Sequence, residues 1–63
     1  MTVNPIQLQK YLAGIDYPAD RRTLIETARR HGADDNAIRT LESLRREKFN
    51  SPNDVSEAVG ELR

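Results

Sequence analysis

Apolar residues along this chain recur in four short bursts, each at the three- and four-residue spacing that lines one side of a helix. Residues that start or stop helices fence each burst. In the first, Leu8, Tyr11, Leu12 and Ile15 share a side, Asn4 is placed to cap, Pro5 to take the first helical position and Gln7 to complete a capping box. Val3 and Leu8 hold the staple positions around that cap and Gly14 supplies the stop, so the pattern predicts a helix over 5–13. After a turn at 15–18, Asp20 is the natural cap of a second helix over 20–31. Its inward stripe is Leu24, Ile25, Ala28 and His31, and Gly32 ends it in a left-handed cap. Asp34 or Asp35 caps a third helix, predicted over 35–46, with Ala37, Ile38, Leu41 and Leu44 on one face. Ser51, Pro52 and Asp54 give cap, proline and box acid for a fourth over 52–62, lined by Val55, Ala58, Val59 and Leu62. No strand is read. The expected fold is all-α: one domain, 1–63, a compact bundle of four short helices. The link between the second and third is so short that they must be neighbours in a helix-turn-helix-like arrangement.

One internal echo runs through the pattern: Tyr17, a proline-containing cap, Leu24 and Ala28 are mirrored by Phe49, Ser51–Pro52, Val55 and Ala58. It reads either as two related helix pairs or as the ordinary way a chain enters a helix. A chain of 63 residues hides only about 60% of the surface its unfolded form exposes, so its stability is expected to be modest. With three aromatic residues and no tryptophan, the core is expected to be built from Leu, Ile, Val and Ala, with no room for a large ligand pocket. There is no cysteine to brace the fold by disulfide or thiolate metal site. No apolar run reaches the roughly 20 residues of a membrane span, and the first residues lack the basic and apolar regions of a signal peptide, so a cytoplasmic setting is expected.

Several of these segments carry a resemblance. The run from Asn4 through Leu12, the Asp16–Tyr17–Pro18–Ala19 turn, Leu24–Ile25–Glu26 with Ala28, Gly32 to Asp35, and Ser51–Pro52 with Val55 to Ala58 resemble, in order and spacing, a bacterial family of small proteins. That family is known as domain of unknown function 2795. The resemblance implies a compact helical domain and transfers no activity. Where the family pattern has Leu-Pro-Asp-Arg, this chain reads Leu44–Arg45–Arg46–Glu47, and loss of the proline predicts a longer third helix.

Candidate catalytic chemistry is thin. The only imidazole is His31, in the last turn of the second helix, where the helix C-terminus favours a partly charged ring; it has no cysteine to activate and no companions at metal-ligand spacing. Asp34–Asp35–Asn36 lacks the alternating acids, central glycine and terminal glutamate of a calcium loop and reads as a helix cap. The glycines make no phosphate-binding pattern. No catalytic residue, cofactor, metal or small-molecule substrate is therefore expected.

Ten basic and ten acidic residues cancel, but 20–48 carries eight basic against six acidic and 49–63 one against three. Arg22, Arg29 and Arg30 point away from the second stripe, and Arg39 and Arg46 away from the third. Glu26 precedes Arg30, and Glu42 precedes Arg46, by the four residues of a favourable intrahelical ion pair. A solvated, self-paired face is the plain reading. The sharper one is DNA binding by the third helix, with Asn36, Arg39, Thr40, Ser43 and Arg46 toward a groove and Arg22 and Arg29 on phosphates. Asp34 and Asp35 at the leading end and the zero net charge count against it. The leading expectation is a non-catalytic, regulatory protein-binding module whose partner is another protein or a second copy of itself. Its candidate surface is an apolar patch of Val3, Ile6 and Tyr11 together with an acidic one of Glu57 and Glu61.

Overall fold

The computed structural model describes residues 5–62. Four helices form: α1 Pro5–Tyr11, α2 Arg21–Arg30, α3 Asp35–Glu42 and α4 Pro52–Gly60. Between them run two strands the sequence did not announce, β1 Ala19–Asp20 and β2 Lys48–Phe49, paired antiparallel with Ala19 opposite Phe49 and Asp20 opposite Lys48. The chain is thus mainly helical with a short ribbon, and the expectation of an all-helical fold is corrected. Two residues are too short a run for alternation to show.

Local chemistry explains most boundaries. Asp20 caps α2 by accepting the Thr23 amide at 2.7 Å, and Asp34 caps α3 by accepting the Ala37 amide at 2.9 Å. At the end of α2 the Gly32 amide bonds the Arg29 carbonyl and the Ala33 amide bonds that of Ala28, with Gly32 at φ +79°, a Schellman stop that needs the left-handed backbone. Ser51 caps α4 with Pro52 following, but the Asp54 carboxylate accepts from the Asn50 amide at 2.8 Å, one residue before the cap. All four expected helices are too long, α2 by one residue at each end. The amides of Leu12 and Ala13 reach back three residues instead of four, so α1 tightens into a turn after Tyr11 and before Gly14. α4 likewise tightens after Gly60, where the Leu62 amide bonds the Val59 carbonyl. The expected Asn4 cap and Val3 staple lie outside the described residues.

The third helix departs furthest, ending at Glu42 and not at 46. Arg21 holds the segment that follows. Its guanidinium donates to the Leu44 carbonyl at 2.6 Å and its backbone amide to the Glu47 carbonyl at 2.9 Å, fixing 44–47 against the start of α2. Released from the helix, the chain doubles back, lays β2 beside β1 and buries Phe49. Loss of the family proline therefore does not lengthen α3.

The core comprises Leu8, Leu12, Ala19, Leu24, Ala28, Ala37, Leu41, Leu44, Phe49, Val55, Ala58 and Val59, with Tyr11, Ile15, Tyr17, Ile25, Ala33, Ile38 and Leu62 packed against it. Phe49 is the bulkiest fully buried side chain, so the core is not purely aliphatic as expected. His31 is exposed and leaves the inward stripe of α2 at Ala28. It caps the helix through its backbone, in a turn that has already left the helical line.

Candidate functional site

Three surfaces collect polar side chains in a way that bears on function. The largest is an open groove of about 470 Å³ along α2, lined by Asp20, Arg21, Arg22, Ile25, Glu26, Arg29 and Glu47. Its cations are largely spent on the fold: Arg21 lies 3.7 Å from the Glu47 carboxylate and Arg29 3.9 Å from Glu42 on α3. Arg22 makes no ion pair among the described residues, and its charge helps keep the Asp20 carboxyl below its usual range. The larger influence on Asp20 is the bond it accepts from Thr23.

A second groove, about 330 Å³, is lined by Asn36, Arg39, Thr40, Ser43 and Leu62. Four of the residues predicted for DNA thus share one surface. The Thr40 and Ser43 hydroxyls donate to the carbonyls four residues back, Asn36 and Arg39, at 2.8 Å each. The other three predicted contacts are elsewhere. Arg22 and Arg29 line the α2 groove, and Arg46 is clamped between Glu61 at 2.9 Å and Glu57 at 3.6 Å. The Glu61 hydrogen bond, reinforced by its charge, raises the Arg46 guanidinium above its ordinary range. The expected pairs Glu26–Arg30 and Glu42–Arg46 do not form. α3 stops at Glu42, which frees Glu42 for Arg29 and Arg46 for α4.

That clamp also changes the reading of Glu57 and Glu61. They hold the segment after α3, their charges paired with Arg46 while both side chains remain about half exposed. In the apolar patch, Val3 lies outside the described residues, and Tyr11 is half-buried, its hydroxyl accepting from Gln7 Nε2 at 3.2 Å. Ile6 is 71% exposed, the one large hydrophobic side chain so placed among the described residues. Half-buried Tyr17 has its phenol pushed up by desolvation, which keeps it neutral.

Sequence reasoning missed Arg21 and Gln9. Gln9 Nε2 donates to the Pro52 carbonyl at 2.9 Å and the Ser56 hydroxyl at 3.1 Å, tying α1 to α4. Nothing in the pattern marks Gln9. Arg21 is unfavourably placed against the helix dipole, but Arg22 beside it shares that feature, so the sequence does not single Arg21 out.

Among the described residues no helix is long and apolar enough to cross a membrane, and no three metal-ligating side chains gather. These features define a small, mainly helical domain with a two-strand ribbon and open surface grooves. Residues 3–56 match the family described as Protein of unknown function (DUF2795), and the chain belongs to that family. No curated protein and no solved structure matches it.

Proposed function

We propose that this chain is a non-catalytic protein-binding module, acting in regulation, that docks through the face of α1 carrying Ile6. The exposure of Ile6 supports this reading. Covering such a side chain supplies about 1–2 kcal/mol to association, enough for one anchor of a small interface. Exposed Lys10 stands one turn along the same face, so the partner that fits is an apolar pocket with an acidic rim. The test compares wild type, Ile6→Asp and Arg39→Ala as immobilised baits in quantitative capture from the source lysate. A partner retained by wild type and Arg39→Ala but lost with Ile6→Asp is expected. Identical retention by all three baits, or none by any, refutes the α1 docking surface.

DNA binding by a helix-turn-helix formed by α2 and α3 is the second reading, favoured by the common groove of Asn36, Arg39, Thr40 and Ser43. The commitment of Arg29 and Arg46 to carboxylates weakens it. Duplex binding that falls steeply with salt, and less steeply in Arg39→Ala, would support this reading over the first.

A further inference from the structure

The element order divides the chain into two like halves: α1, β1 and α2, then α3, β2 and α4. Their inward positions correspond. Leu8 on α1 and Leu12 in the turn after it stand where α3 has Ala37 and Leu41; Ala19 in β1 stands where β2 has Phe49; Leu24 and Ala28 on α2 stand where α4 has Val55 and Val59. The corresponding strand residues, Ala19 and Phe49, are the two that face each other in the ribbon, as an antiparallel pair on a twofold axis requires. The residue equivalent to Phe49 is Ala19, two positions after Tyr17, so the echo in the sequence runs out of register with the structural correspondence.

The ties between elements run mostly from one half to the other. β1 pairs only with β2; Gln9 of the first half holds Pro52 and Ser56 of the second; Arg21 holds Leu44 and Glu47; Arg29 meets Glu42. Each half therefore carries a face whose complement is the other half. Only the turn at 31–34 joins them, with its exposed Gly32 at φ +79°.

We infer that the partner this inter-half surface fits is a second copy of the chain, engaged by exchange of halves: the turn at 31–34 opens, and the first half of each copy packs on the second half of the other. Every tie named above is kept in such a dimer, so the equilibrium is decided by the turn and by protein concentration. The exchange uses none of the Ile6 face and stands or falls separately from it.

Gly32→Ala tests this directly. A Cβ there meets nothing within 4 Å, so the cost is in the backbone alone. Holding alanine in the left-handed region disfavours the closed turn by roughly tenfold, and with two turns released per dimer the dissociation constant falls by roughly a hundredfold. Light scattering across concentration reads that shift. Identity of the dimer comes from cysteines, of which the chain has none of its own. Asp20→Cys and Lys48→Cys are placed on separate Gly32→Ala chains, mixed and oxidised, while one chain bearing both substitutions serves as control for the geometry. Exchange predicts that the mixed disulfide outweighs both like-with-like disulfides. If Gly32→Ala does not fold, wild-type chains carrying the same single cysteines are refolded together at high concentration and read in the same way. A protein that stays monomeric throughout, or a dimer without the mixed disulfide while the control chain oxidises, overturns the inference.

Discussion

Replacing Arg21 by alanine tests how the segment after the third helix is held. The guanidinium donates to the carbonyl of Leu44, a residue 1% exposed, and the substitution leaves that oxygen without its partner in a place water reaches poorly. A hydrogen bond from a charged donor is worth about 1.5–3 kcal/mol, and the Arg21 side chain remains 35% exposed, which places the loss near the lower end, at about 2 kcal/mol. The ion pair with Glu47 adds little, since that side chain is 81% exposed and the separation is 3.7 Å. Arg21→Ala is therefore expected to lower the midpoint of thermal unfolding, followed by circular dichroism, by about 8–16 °C, taking about 4–8 °C per kcal/mol for a domain of this size. Glu47→Ala should move it by no more than about 3 °C, because only an exposed pair is lost. If Arg21→Ala unfolds within about 0.5 kcal/mol of wild type, or Glu47→Ala costs as much, then carbonyl capture is not what holds 44–47 against α2.

Other substitutions probe separate parts of the structure. Leu24→Ala, at a fully buried position, should cost about 2–5 kcal/mol and leave the protein largely unfolded at 37 °C by near-ultraviolet circular dichroism; a cooperative transition near the wild-type midpoint would contradict the packing described. Asp34→Ala removes the cap of α3 and should cost about 1 kcal/mol in urea unfolding, whereas Asp34→Asn, which can still accept the Ala37 amide, should lose far less. The carboxyl of Asp20 is held below its ordinary value by the bond from Thr23, so its contribution is complete above the unfolded-state pKa, about pH 4, and disappears as pH falls through the folded value. Asp20→Asn should accordingly flatten the loss of stability on acidification, and an unchanged acid limb would refute that role. Ile6→Asp should leave the unfolding midpoint nearly unaltered, because the side chain is already in solvent.

Legibility in the sequence followed the range of the forces involved. The caps at Asp20, Asp34 and Ser51 and the left-handed stop at Gly32 depend on neighbours within five residues, and all are where the pattern puts them. The apolar stripes were equally plain, because burial repeats along a helix; His31 is the exception, one residue beyond the end of α2. What stayed hidden depends on distant partners. The ribbon exists because Ala19 and Phe49 meet across twenty-nine intervening positions, and no local period announces a two-residue strand. Charge pairing was misjudged for the same reason: spacing favoured Glu42 with Arg46, but the helix they were to share ends at Glu42, leaving Arg46 to Glu57 and Glu61. Of the surface residues proposed for DNA, the four on one helix stayed together, while those on other elements went where tertiary contacts took them.

The register of the ribbon makes the molecule indivisible. Because successive strand side chains point to opposite sides, a slip by one residue would turn Phe49 out of the centre and set Lys48 in its place. The same slip would carry Leu44 and Glu47 out of reach of Arg21, and with them the bonds that join first half to second. Loosening at this one seam undoes packing and polar ties together. A protease that cuts the chain anywhere between Ala19 and Phe49 should thus find no smaller folded piece left behind.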